Sequence, residues 1–189
     1  MSYVIPTNEL TLTDIKNFKS NAIEAGIFRA LKLGVAAVRE ELVVREAFPF
    51  DDLGGAAVGW TTNEYLSMLI PAANAWCSAF SAGALPGTQR QLATTQVAVF
   101  YKFADTEQNP VVTGVRFRKG AGGATTLGSF FLQLPTESKL EPDVYFNEPV
   151  VYDPQSWLFI EIYPTGNLGN QESIPFGCFI IEPTGGTVS

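Results

Sequence analysis

From about residue 94 to residue 183 the chain is a series of short apolar runs at strand spacing. Each run is closed by residues that turn a backbone, and no helical pattern lies between them. Val97, Val99, Tyr101 and Phe103 alternate with Gln96, Ala98, Phe100 and Lys102. Val111, Thr113, Val115 and Phe117 alternate with Val112, Gly114, Arg116 and Arg118, which reads as a strand with one dry and one wet face. Further strands are expected over residues 127–134, 144–152, 157–163 and 176–182. Asn109-Pro110, Gly120-Ala121-Gly122-Gly123, Pro135, Asp153-Pro154 and Pro175 separate them. Short strands at this spacing, without intervening helices, predict an antiparallel sandwich or barrel.

The N-terminal part follows a different period. Thr11 with Asp14 three residues on has the form of a capping box, with Asp in place of the usual Glu. Leu12, Ile15, Ala22, Ile23, Ile27, Ala30 and Leu31 then recur at helical spacing, and Gly34 is suited to end the helix. Gly26 is a weak point within it. A strand is expected over 42–48. A second helical stretch is expected around 63–84, opened near Thr62 and continued through Ala-rich sequence after Pro71. The chain is therefore divided into an N-terminal arm and helix, residues 1–37, and a β-sandwich domain, residues 38–189, with a helical insertion around 63–84. The fold class is mainly β: an antiparallel, jelly-roll-like sandwich behind an N-terminal helix.

Charge and residue usage narrow the chemistry. The 189 residues carry a net charge of −7 and contain no His. Mechanisms that need an imidazole are thereby excluded: Ser-His-Asp and Cys-His hydrolysis, His-ligated zinc or haem, and His-based pH switching. Acids and bases balance through Lys119. Beyond it only Lys139 opposes Glu137, Glu141, Asp143, Glu148, Asp153, Glu161, Glu172 and Glu182. No basic stripe suits a nucleic-acid backbone or an anionic membrane surface. Nothing at the N-terminus has the form of a signal peptide, and no apolar run approaches the roughly 20 residues needed to cross a bilayer. Cys77 and Cys178 match no metal or redox spacing and read as buried free thiols.

Several groups could still carry a contact. The run from Lys119 through Thr126 is rich in glycine, but its Lys precedes the glycines and strands flank it, so it reads as a hairpin and not as a phosphate cradle. Arg116, Arg118 and Lys119 line one strand and its exit. They could meet a phosphate backbone, an acidic partner or the acidic last third of a second copy, or they could simply guard a sheet edge. Glu161 and Glu182 are the remaining carboxylate pair for acid–base hydrolysis, and the solvent face of a strand is the plainer reading. Asp51, Asp52, Asp105, Glu107 and Asp153 are turn acids without the spacing of a calcium loop. Fourteen Phe against three Trp and six Tyr point to filled cores more than to sugar platforms. On that basis Trp60, Trp76 and Trp157 read as packing residues. No cofactor and no metal site is expected, and the chain is read as non-enzymatic.

The segments Ser129-Phe130-Phe131-Leu132-Gln133-Leu134, Trp157-Leu158-Phe159-Ile160-Glu161-Ile162-Tyr163 and Ile174-Pro175-Phe176-Gly177-Cys178-Phe179-Ile180-Ile181-Glu182-Pro183 alternate with Pro/Gly/Asn loops. In this texture, over residues 97–183, the chain resembles the single jelly rolls of phage-type viral capsid, cement and spike-base proteins. No residue role comes with the resemblance. It implies a structural subunit of a virion, located in the particle, with a homo-oligomer and other virion proteins as partners. Leu12, Ile15, Phe18, Ile27 and Leu31 are the expected assembly interface, because the apolar stripe is broader than one sandwich face should need. Arg116, Arg118 and Lys119 are the expected charged contact. The alternative is a carbohydrate- or receptor-binding sandwich presenting Trp60, Tyr65 or Tyr163 from its loops.

Overall fold

Helix α1 (Leu12–Lys32) starts where the capping residues place it. The Thr11 N–H donates to Asp14 Oδ2 at 2.9 Å and the Asp14 N–H donates to Thr11 Oγ1 at 3.2 Å, so two otherwise orphaned amides are satisfied reciprocally. At the other end Gly34 adopts φ +72°. Its N–H donates to the Leu31 carbonyl at 3.1 Å, and the Val35 N–H donates to the Ala30 carbonyl at 3.0 Å. This is the paired closure that a left-handed glycine permits. In the computed structural model the described residues are 4–6, 10–48, 52–53, 68–69, 73–79, 90–104, 111–131, 143–166 and 171–185.

The strands are β1 (Val4–Pro6), β2 (Leu42–Glu46), β3 (Met68–Leu69), β4 (Cys77–Ser78), β5 (Val97–Ala104), β6 (Val112–Lys119), β7 (Thr125–Phe131), β8 (Asp143–Tyr152), β9 (Phe159–Pro164), β10 (Gln171–Glu172) and β11 (Phe176–Pro183). One sheet has the order β1-β8-β5-β11-β2, the other β4-β9-β6-β7, and β3 pairs with β10 apart from both. Setting aside β1 and the β3–β10 pair leaves eight strands in two sheets of four. Every pairing is antiparallel, first with last (β2–β11), second with seventh (β4–β9), third with sixth (β5–β8) and fourth with fifth (β6–β7). The β5–β11 and β6–β9 pairs then complete the two sheets. A chain paired in this way is one long hairpin rolled over itself, the jelly-roll arrangement. β1 extends the first sheet beyond β8.

Three local expectations change. β5 is buried on both faces, because α1 covers the side that a plain sandwich would leave to water. In β6 a register shift lies between Val112 and Gly114. A single extra residue inverts the alternation on one side of it, so Val112 joins Val115 and Phe117 in the core. The helical insertion around 63–84 is not formed at its described residues. Met68–Leu69 and Cys77–Ser78 are strands, and Asn74 holds φ +56°, which interrupts a right-handed helix. Pairing with Ile162 and Glu161 of β9 outweighs the helical preference of the Ala-rich sequence. The rest of 63–84 lies outside the described residues.

Two apolar clusters hold the layers together. Between the sheets, Phe100, Phe103, Phe117, Phe130, Phe146 and Phe176 form a connected set of rings, with Phe130 stacked on Phe146 at 4.1 Å between centroids. On the outer face of the first sheet, Ala22, Ile27 and Ala30 pack on Val97, Val99, Tyr101, Tyr145, Phe179 and Ile181. Ile15, Phe18 and Leu31 are partly buried around the same cluster. The breadth of the helical stripe is thus spent on the chain's own sheet. Of the residues expected at an assembly interface, Ile27 is buried inside the molecule and so is not available to a neighbour, and Leu12 is exposed, at 78%; Phe28, outside that set, is 68% exposed.

At Gly26 the helix backbone lies directly against side chains of the sheet. A Cβ there would stand 2.1 Å from Ile181 Cδ1 and 2.5 Å from Val99 Cγ2. Gly26→Val is expected to lift the helix and to cost about 1–3 kcal/mol through overpacking. Urea denaturation measures it, and an unchanged midpoint would mean that the helix does not rest on the sheet at this residue.

Candidate functional site

The outer face of the second sheet gathers the charged residues singled out in β6. Register places Arg116 opposite Glu161 of β9. Arg116 engages Glu161 Oε2 through both Nε and Nη2, and Arg118 Nη1 reaches Oε1 at 3.0 Å. Glu161 is only 2% exposed. A carboxylate removed from water to that degree requires such partners. The Arg116 guanidinium also lies over the Trp76 ring at 4.4 Å from its centroid. Trp76 in turn meets Phe131 and Tyr163 edge-on at 5.5 and 5.4 Å. Gly114 lies beneath these rings, where a Cβ would stand 3.2 Å from Phe131 and 3.3 Å from Trp76. β6 runs between β9 and β7, so its arginines do not guard a sheet edge.

Lys119, the third residue of the expected charged contact, pairs with Asp153 at 3.3 Å. Arg29 of α1 holds the same carboxylate in a two-pronged contact, Nε to Oδ1 at 2.6 Å and Nη2 to Oδ2 at 2.9 Å. Asp153 therefore ties the helix, the β6–β7 hairpin and the end of β8 together. The hydrogen bonds from Arg29 hold its carboxyl below the usual carboxylate range, against the opposing effect of burial. A depressed folded-state value means stability that is present above about pH 4 and lost as pH falls further. Asp153→Asn should therefore show a shallower fall in melting temperature below about pH 4 than the parent chain. Identical slopes in a pH series of thermal melts would contradict the assignment.

A third network surrounds Arg45 of β2. It meets Asp52 at 2.6 Å and Glu182 at 2.8 Å, and Asp52 also accepts the Phe48 N–H at 2.7 Å. Glu182 accepts a further bond from Gln96 Nε2 at 2.7 Å. Three of the acids in the last third, Asp153, Glu161 and Glu182, are thus each met by cations from earlier in the chain. Glu161 and Glu182 lie on different sheets with their own arginines, and do not form a carboxylate pair across one cleft. Asp52 and Asp153 are turn acids with guanidinium partners; Asp51, Asp105 and Glu107 lie outside the described residues.

The glycine-rich run is the β6–β7 hairpin, with Gly120, Gly122 and Gly123 all at positive φ. Beside it the turn after β8 opens a cleft of about 440 Å³, lined among others by Lys119, Thr125, Asp153, Gln155 and Trp157. Trp157, expected as a packing residue, is 41% exposed there. Its strand position is a single bridge to Gln91, outside the regular run of β9. Trp76 packs within the aromatic group on the second sheet, and Tyr163 belongs to that group. Trp60 and Tyr65 lie outside the described residues. Both cysteines are free and buried; burial pushes the Cys77 thiol up to about 11 and the Cys178 thiol well above its ordinary value, so neither is poised as a nucleophile.

Strand order and layering define the class of protein: an eight-stranded jelly-roll sandwich with one sheet covered by an N-terminal helix. Compared with known proteins, no family model matches the chain and no curated protein matches its sequence. No helix among the described residues is long and apolar enough to cross a membrane.

Proposed function

We propose that the chain is a structural subunit of a virus particle, a shell, cement or tail accessory protein, acting through contacts with copies of itself and with other particle proteins. The single observation that carries this reading is the jelly-roll strand order. Two sheets packed face to face, braced by three arginine–carboxylate networks, make a stiff block whose function is shape. A nucleic-acid role is not favoured, since Arg116 and Arg118 already serve the buried Glu161 of their own chain. The reading involves no catalysis and no cofactor.

With the helix committed to its own sheet, assembly falls to the exposed remainder. Phe131 stands 59% exposed at the end of edge strand β7, and Leu12, in the first turn of α1, and Phe28 are exposed as well. The arm that carries β1 adds three residues to the sheet edge, opposite Phe146, Tyr145 and Val144. A short edge strand on an N-terminal arm is well suited to pair with a neighbouring subunit instead of its own. Removing residues 1–9 leaves Leu10 and the cap Thr11 in place. The shortened chain should keep the β-rich far-ultraviolet spectrum and a cooperative melt while sedimenting as a smaller species than the full chain. An unfolded product, or one that assembles like the parent, would count against the reading.

A further inference from the structure

We propose that the cleft beside Trp157 binds a saccharide, and that it favours one carrying a carboxylate. Nothing about the jelly-roll order requires this cleft, and the proposal stands independently of particle assembly.

The cleft combines the two features a sugar needs. One wall is the exposed Trp157 ring, a flat apolar surface against which the C–H face of a pyranose can stack. The rest of the lining includes the polar residues Lys119, Thr125, Asp153, Gln155 and Ser156. These supply donors and acceptors for ring hydroxyls. The cleft is shallow and open to water, with a volume of about 440 Å³, which suits a ligand that keeps much of its surface solvated.

The site is also held in place before any ligand arrives. Gln155 sits at φ +60°, and its carbonyl accepts from Gln91 Nε2 at 3.0 Å. The Ser156 N–H donates to the Asp153 carbonyl at 3.1 Å, closing the turn, while the Leu158 N–H donates to the Arg90 carbonyl at 2.9 Å. The turn is therefore tied at both ends, and binding does not have to order it, which removes a usual cost of association.

Charge selects the ligand class. Arg29 grips both oxygens of Asp153 from outside the cleft and offsets its charge. Lys119, which lines the cleft, touches the same carboxylate only at 3.3 Å. Arg29 and Lys119 together carry one positive charge more than the Asp153 carboxylate they share, and Lys119 lines the same cleft as Trp157. A uronic or sialic acid carboxylate placed near Lys119 would meet that excess, with its ring on Trp157; a neutral sugar would gain only the ring contact and the hydroxyl bonds.

The test is saturation-transfer NMR with fluorescence titration of the full chain at low ionic strength. The probes are methyl β-glucuronide and N-acetylneuraminic acid, with methyl β-glucoside as the neutral control. The expected result is saturable binding of at least one acidic sugar, at least tenfold tighter than the neutral one and weakened by added salt. Trp157→Ala should abolish it, and Lys119→Gln should remove the preference for the acid, while thermal melts show that both variants stay folded. No binding, binding unaffected by Trp157→Ala, or equal affinity for the neutral control would overturn the proposal. Saccharide binding by a chain that never assembles would leave this site standing and remove the particle reading; an assembling chain that ignores every sugar would do the reverse.

Discussion

Glu161→Ala is expected to destabilise the fold by about 3–5 kcal/mol, the cost of leaving buried charge without its partner. The carboxylate is nearly inaccessible, and two guanidiniums converge on it from neighbouring positions of one strand. Without it Arg116 and Arg118 stand side by side with like charges, and Arg116 is held against the Trp76 ring by its contact with the ring face. The loss should be largely specific to the unpaired charges. Replacing Arg116, Arg118 and Glu161 together by Met should therefore recover most of the stability, since apolar residues of similar volume often substitute for a buried ionic group without loss. Urea denaturation of the single and triple variants decides the matter. A single variant as stable as the parent, or a triple variant no better than the single, would show that the pairing is incidental.

Phe117→Ala should cost about as much, about 3–5 kcal/mol, for a reason on the opposite face of the same strand. The Phe117 ring lies 4.9 Å from Phe100, 5.5 Å from Phe146, and 6.2 Å from both Phe130 and Phe176, measured between centroids. It therefore joins rings from both sheets, and truncation leaves a cavity that neither sheet can collapse to fill. For a chain of this size the melting temperature should fall by roughly 6–20 °C. Phe117→Leu, which keeps much of the volume, should lose less than half as much. A Phe117→Ala melt within a degree or two of the parent would mean that the sheets are not packed through this residue.

The strands were legible in the sequence wherever both neighbours are long and regular, because a period of two survives without knowledge of the partner. The helix was legible for a similar reason: Thr11 with Asp14 and the later Gly34 are local signals whose hydrogen bonds close within a few residues. What could not be read depends on pairing across long stretches of chain. The register shift between Val112 and Gly114 exists only relative to β9, and it moves Val112 to the other face of β6. Cys77–Ser78 is a strand because β9 is beside it, not because of its own composition. The apolar stripe of α1 was visible, but not that Gly26 lets it lie against Val99 and Ile181.

The same limit governs the candidate sites. Charge counting along the chain located an excess of acids in the last third, but the contacts of Glu161 with Arg116 and Arg118 span 45 and 43 residues. Asp153 is met by Arg29 from 124 residues away. A sequence reading sees each of these groups alone and must leave their partners open. Trp157 illustrates the converse: its type suggests burial, but its place in a turn outside the body of β9 leaves the ring facing a cleft.

If this jelly roll builds a larger body, light scattering of the purified full chain over a wide dilution series will show a discrete oligomer or larger particle whose mass holds on dilution. A monomer of 20.5 kDa at every concentration would contradict it.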